Sequence, residues 1–314
     1  MKLIIKYIAF SLLSFFLMSS CTPVKSTYNS FSSIVQSMFN STQIVENKIK
    51  DPFLADTKLA VLWIGHSTVL IQMGDKFILT DPLFTGTHAL LSKRLVEPGI
   101  EPQDLPDIDI TLLSHLHMDH LSFGSLNLIE SKIKKFILPE NALAYLPKYD
   151  FKCREIKWWE TIIYDGVKIS ATPLVHNGWR YGIDQAWMKK SYGGYIISYD
   201  DITIFFAGDT AYDEDLFLEI GKQFNDIDLV ILPISPIHPR EYSKARHTDP
   251  KEALQIFYDL NADYMMPIHY DTFAESYDTL GEAESLLRRE MLTNNLTEEQ
   301  IKIFKIGEQK VIIK

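Results

Sequence analysis

His115-Leu116-His117-Met118-Asp119-His120 sets three imidazoles and a carboxylate within six residues, directly after the apolar run at 108–113. In an extended chain, residues two apart point to one side, so His115 and His117 can face a single ion. Asp119 and His120 fall where the chain turns toward the next helical pattern, at 121–133, and can be aimed at a second ion beside the first. Imidazole nitrogen and carboxylate oxygen are the donors that zinc and similar divalent ions accept, at roughly 2.0–2.2 Å. Without a metal, burying so many ionisable groups together would be costly.

Three further candidate ligands share one placement. His176 lies beyond a β-run at 168–172, Asp209 beyond one at 203–207, and His269 beyond one at 264–266. Strand ends on one edge of a sheet let loops converge on a site while the sheet holds them rigid. Five histidines and two carboxylates would then complete two sites of three ligands each, with one carboxylate shared. Taken singly, each of the three distant residues could equally be a structural histidine or a turn aspartate.

The surrounding texture is one of short β-runs bounded by turn residues. Runs at 61–64, 68–73 and 77–80 include a tight hairpin at Gly74-Asp75, a second hairpin turns at Asp165-Gly166, and a third pairs 194–198 with 202–206. Helical patterns are expected at 139–146, which begins with proline, at 213–224, and at 249–260, where Asp249-Pro250-Lys251-Glu252 supplies a cap, a first-turn proline and an acid three residues on. Hairpin-rich strands flanked by helices suggest two facing sheets covered by helices, one α/β arrangement among several.

The N-terminus reads as an address. Lys2 and Lys6 precede an apolar run at 8–18, and Ser19, Ser20 and Cys21 follow. That run falls short of the about 20 residues a spanning helix needs, so residues 1–20 are expected to be a cleaved signal. L-M-S-S-C resembles the lipobox of bacterial lipoproteins, with Met18 where leucine is usual, and implies lipid attachment at Cys21. Thr22, in place of the aspartate that often retains such proteins at the inner membrane, points to an outer-membrane lipoprotein of the bacterial envelope. Residues 21–57 are expected to be a tether and 58–314 one large domain. Cys153 is left without a partner, so no disulfide is available. The formal net charge of -10 argues against nucleic acid, whose binding needs a basic surface.

H-L-H-M-D-H resembles the H-x-H-x-D-H signature of the metallo-β-lactamase superfamily, and A-G-D-T at 207–210 resembles the segment that supplies its bridging aspartate. Within the superfamily, W-I-G-H-S-T at 63–68, T-D-P-L-F at 80–84, Y-G-G-Y at 192–195, R-H-T-D-P-K-E-A at 246–253 and I-H-Y-D-T-F at 268–273 resemble the branch containing N-acyl-phosphatidylethanolamine-hydrolysing phospholipase D.

The resemblance covers 59–314. It implies a four-layer αββα sandwich and two zinc ions, or manganese or iron in their place. His115, His117 and His176 would hold one, Asp119, His120 and His269 the other, with Asp209 bridging. A hydroxide between the ions would attack phosphorus, its pKa lowered by both cations, and Asp119 would orient it. His247 matches a histidine that sits by the phosphate and would bind a phosphoryl oxygen or protonate the leaving group. Asp81 and His66 would support the ligands from behind, Asp81 by bonding a ligand imidazole.

The expected activity is therefore hydrolysis of a lipid-like phosphodiester beside a membrane. Two alternatives stay open: a metal-dependent lactonase of the same superfamily, and an envelope lipoprotein that keeps the fold without catalysis. β-Lactamase activity is disfavoured, because those enzymes usually lack an aspartate at the position of Asp209. His88 and His238 have no assigned role, and Trp158, Trp159, Trp179 and Trp187 could be core or substrate-facing.

Overall fold

The computed structural model describes residues 41–88, 92–181, 190–274, 276 and 278–314. The expected signal, Cys21, the first part of the expected tether and Trp187 lie outside them.

Among the described residues, thirteen strands make two large sheets: β1 (Leu59–Gly65), β2 (Thr68–Met73), β3 (Lys76–Thr80), β4 (Ile110–Leu112), β5 (Lys135–Pro139), β6 (Lys152–Ile156), β7 (Thr161–Tyr164), β8 (Val167–Thr172), β9 (Gly194–Tyr199), β10 (Ile202–Phe206), β11 (Leu229–Pro233), β12 (Tyr264–Ile268) and β13 (Gln309–Ile313). The first sheet runs β13-β1-β2-β3-β4-β5-β6 and the second β12-β11-β10-β9-β8-β7. Hairpins give antiparallel pairs at β1-β2-β3 and β7-β8-β9-β10, whereas β3-β4-β5-β6 and β10-β11-β12 pair in parallel. Parallel pairing requires crossovers, and these supply the helices.

Strands β1, β2 and β11 are buried at every position, as sheets covered on both faces must be. One core lies between the sheets, where Val61, Val69 and Ile71 of the first cluster with Ile169, Ile197 and Phe205 of the second. It extends outward to Phe217 and Ile220 of α2 (Glu214–Gln223), to Ala253 and Ile256 of α4 (Pro250–Asp259) and to Leu287 of α5 (Glu282–Thr293), with the short α3 (Arg240–Ser243) before α4. A separate core packs Leu126 and Ile129 of α1 (Phe123–Ile129) with Leu62, Leu79 and Phe136 of the first sheet. Burying each such side chain is worth about 1.5–3 kcal/mol. The four layers are thus α, β, β and α.

Local chemistry explains both the agreements and the departures. Asp249 caps α4 by accepting from Glu252 N at 2.9 Å, and Asp213 caps α2 in the same way at 3.0 Å. The helix expected at 139–146 does not form. Lys135–Pro139 is a strand whose Pro139 ends the pairing opposite Ile156, Asn141 then takes a positive φ of 66°, and only a 3-10 turn follows at Leu143–Tyr145. The helix expected at 121–133 is shorter: Ser122 caps α1, which passes into a 3-10 turn at Glu130–Lys132. The described part of the expected tether, 41–57, also departs from expectation, because it is bound to the domain. Gln43 N donates to Leu95 O at 2.8 Å, and Lys48 pairs with Glu97 and Glu101 at 2.9 and 2.6 Å. These partners lie some fifty positions away, so the polar composition of the segment concealed them.

Candidate metal centre

Strand direction decides where the site forms. β1, β3 and β4 run one way in the first sheet, and β8, β10, β11 and β12 run one way in the second. Each carries a functional side chain beyond its C-terminal end: His66 after β1, Asp81 after β3, the 115–120 segment after β4, His176 after β8, Asp209 after β10, His247 in the connection after β11 and His269 after β12. The antiparallel strands between them, β2 and β9, point away and contribute no ligand. The two sheets are pinned at this edge by Gly193 N donating to Ser114 O at 3.0 Å and by the Tyr195 hydroxyl donating to Leu113 O at 2.7 Å.

The structure brings all seven expected ligands together. His115, His117, His176 and Asp209 form one group and His66, Asp119, His120 and His269 another, with donor atoms within 4.8 Å of one another in each. Asp209 faces both. Its Oδ2 lies 3.9 Å from Nε2 of His115, 3.9 Å from that of His176 and 3.3 Å from that of His120, while Oδ1 lies 3.1 Å from His269 Nε2. Asp119 Oδ2 is 3.3 Å from His120 Nε2 and 3.7 Å from His269 Nε2. His66, expected to support the ligands from behind, sets its Nε2 3.1 Å from Asp119 Oδ2 and its ring centre 3.9 Å from that of His269. Asp81 Oδ2 accepts from His120 Nδ1 at 2.7 Å. His247 enters from the loop after β11, with Nδ1 3.6 Å from Asp209 Oδ2.

Outer partners set the tautomers, because an acceptor fixes the ring hydrogen on the nitrogen it faces. Ser114 Oγ gives its hydrogen to Asp81, so His115 Nδ1 donates to that oxygen at 2.9 Å. His120 Nδ1 donates to Asp81, and His176 Nδ1 donates to the Arg246 carbonyl at 3.0 Å. The opposite nitrogens of these rings therefore bring bare lone pairs to the centre. His120 Nε2 and both oxygens of the buried Asp209 make no hydrogen bond among the described residues. Buried acceptors converging without donors are what divalent cations require, so the donor set fits the metals that the sequence implies.

Electrostatics favours the ligating form in the first group of rings. Burial drives His115 and His176 well below the ordinary imidazole value and lowers His117 as well, toward the neutral form that ligates. For His120 burial acts the same way, but the carboxylates of Asp209, Asp119 and Asp81 outweigh it and raise the value well above normal. Burial opposes charge on Asp119 and Asp209 too, yet the imidazoles around them hold both well below the usual carboxylate range.

Three residues of the site carry backbone strain. His66, Asp81 and His269 take positive φ values of 55°, 33° and 63°, conformations that cost on the order of 1–3 kcal/mol each and persist only where the surroundings impose them. Gly208, at φ 65°, is held so close that an added Cβ would stand 2.3 Å from Ser114 Cβ. Gly208→Ala is therefore expected to displace both Asp209 and the Ser114 hydroxyl. Strain and overpacking together amount to roughly 2–4 kcal/mol, a fall of roughly 4–16 °C in thermal midpoint by calorimetry.

An αββα sandwich holding two groups of imidazoles and carboxylates at the C-terminal ends of its strands defines a metal-dependent hydrolase. The sequence pattern of the family described as "beta-lactamase superfamily domain" matches residues 76–270, and the chain belongs to that family. It is 28% identical over 254 residues to the Caenorhabditis elegans "N-acyl-phosphatidylethanolamine-hydrolyzing phospholipase D 1", covering 75% of this chain and 70% of that one. It is 33% identical over 228 residues to the mitochondrial phospholipase of the same description from Saccharomyces cerevisiae, covering 68% of this chain but 48%, about half, of the yeast protein. Among solved structures, the isothiocyanate hydrolase from Delia radicum gut bacteria superposes with a TM-score of 0.63 at 19% identity, covering 81% of this chain and all of that one, which speaks to the fold alone.

Several residues of the site had no place in the sequence reading. Ser114, Asn177 and Arg246 act on the ligand rings from outside, and their signal in the sequence was adjacency alone, to His115, His176 and His247. Of the unassigned groups, Trp179 stands edge-on to His117 with ring centres 5.0 Å apart, His88 stands edge-on to Phe273, and His238 Nε2 lies 3.0 Å from Glu282.

Proposed function

We propose that this chain is a dinuclear phosphodiesterase acting on a lipid-like phosphodiester, with zinc the expected metal. The reading is carried by the placement of Asp209, one buried carboxylate that reaches both donor groups, with Oδ2 near His115, His176 and His120 and Oδ1 near His269. Two ions bound there would make an attacking water acidic and neutralise charge developing at phosphorus. Similarity to two phospholipases over most of this chain supports the substrate class.

His115, His117 and His176 would hold one ion and Asp119, His120 and His269 the other, with Asp209 shared between them. His66 steadies Asp119 through Nε2. His247 stands at the rim, held through its carbonyl by Arg240 at 2.9 Å, where it can donate to a phosphoryl or leaving oxygen. A lipid on Cys21 would keep the enzyme in the plane of its substrate.

The test is turnover of metal-loaded protein on N-acyl-phosphatidylethanolamine vesicles, an aryl phosphodiester, an aryl ester and a lactone. Phosphodiester cleavage is expected, and His247→Ala should lower kcat about 10²–10⁴-fold with both ions retained. Lactone cleavage without phosphodiester cleavage would replace this reading with that of a lactonase, and inactivity on all four substrates would favour a non-catalytic role.

A further inference from the structure

The loop that delivers His176 continues as Asn177-Gly178-Trp179-Arg180, and most of it grips the 115–121 segment. Arg180 Nη1 donates to the carbonyls of Leu116 and Leu121 at 3.0 and 2.9 Å, and Trp179 abuts the His117 ring. Gly178 passes so near Ser191 that an added Cβ would stand 2.3 Å from its carbonyl oxygen. The loop can therefore move neither toward nor away from His117 without breaking contacts on both sides.

Within that grip, His117 Nε2 lies 3.1 Å from Asn177 Oδ1. Its other nitrogen, Nδ1, lies 2.8 Å from His115 Nε2 and 3.4 Å from His176 Nε2. His115 and His176 each bring a bare lone pair to this point, because their own hydrogens are taken by Ser114 and by the Arg246 carbonyl. Without a cation a hydrogen on His117 Nδ1 could bridge to the bare His115 nitrogen, but with an ion among the three nitrogens His117 can share it only through a lone pair on Nδ1. Its single hydrogen must then sit on Nε2, where an acceptor is needed. The amide oxygen of Asn177 is that acceptor. Were the amide reversed, its NH2 would force the hydrogen onto Nδ1 and close the site.

We propose that Asn177 is a positioning residue for the metal centre, whose side-chain carbonyl commits His117 to bind the ion of the first group through Nδ1. The proposal rests on His117 being a ligand. Ser114, Asp81 and a backbone carbonyl serve the other rings from within the fold, whereas Asn177 is a partly exposed side chain. It can be exchanged without opening the core.

The experiment is chelator competition with zinc, together with the visible spectrum of the cobalt-substituted protein, on wild type, Asn177→Leu and Asn177→Asp. Asn177→Leu keeps the size but removes the acceptor. It should weaken one of the two ions about 10–100-fold, leave the other in place, and shift the cobalt bands. Asn177→Asp restores an acceptor and should bind both ions at least as tightly as wild type, with a spectrum close to it. Wild-type affinity and spectrum in Asn177→Leu would overturn the proposal, as would Asn177→Asp binding as weakly as Asn177→Leu, since packing would then be the only role left. Wild-type protein that takes up no ion would instead overturn the metal site itself, a result distinct from both.

Discussion

Replacing Asp209 by asparagine is expected to cut hydrolysis about a thousandfold or more and to leave the protein with fewer than two bound ions. The shape is nearly conserved, so the effect isolates charge and donor chemistry. In the structure Oδ2 faces His115, His120 and His176 while Oδ1 faces His269. An amide removes the negative charge and turns an NH2 group toward imidazole lone pairs whichever way it lies. The metals are each worth several kcal/mol at the transition state, and about 4 kcal/mol is a thousandfold in rate. Steady-state turnover with elemental analysis measures both quantities. Two ions retained with turnover within tenfold of wild type would remove Asp209 from the centre.

Chelation should have the next largest effect, and on stability as well as rate. Ions that bind only the folded chain, at about a hundred times their dissociation constants, add roughly 5 kcal/mol for two sites, worth about 10–20 °C in thermal midpoint. The stripped protein should also become sensitive to acid. His115, His117 and His176 have depressed values in the fold, so below the ordinary value of 6.5 the unfolded chain takes up protons that the folded chain refuses, and stability falls as pH drops. His120 has the opposite sign, since its raised value contributes fully below 6.5 and is lost as pH rises, but it stands alone against three. Melting curves of chelated protein between pH 7.5 and pH 5.5, about two units of titration, should show a falling midpoint. A midpoint unaffected by chelation would contradict the site.

Much of this site was legible in the sequence because its ligands follow a local rule. A histidine or aspartate just past an apolar β-run is visible one residue at a time, and strands running in one direction then bring His115, His176, Asp209 and His269 to one edge. The residues that aim those ligands follow no such rule. Asn177 reaches His117 across sixty positions and Arg246 reaches His176 across seventy. The partner of His66, Asp119, could not be read from the sequence because their proximity depends on the pairing of β1 within the first sheet. In the fold, the hairpins at Gly74 and Gly166 were plain, while 139–146 was misread as a helix because its proline, which ends the strand at 135–139, was taken for a helix start. The strand Gln309–Ile313 was invisible because its partner, β1, lies some 250 positions earlier in the chain.

Because every ligand-bearing strand ends at the same edge, the molecule has a working end and an idle end. The turns at 74–75, 165–166 and 200–201 cluster at the idle end, laced by Lys76 to Asp165 and by Tyr199 to Asp75. New termini, affinity tags or surface linkers placed in those turns would leave the chemistry facing outward. An immobilised catalyst of this kind could be tethered by its back without obstructing its mouth.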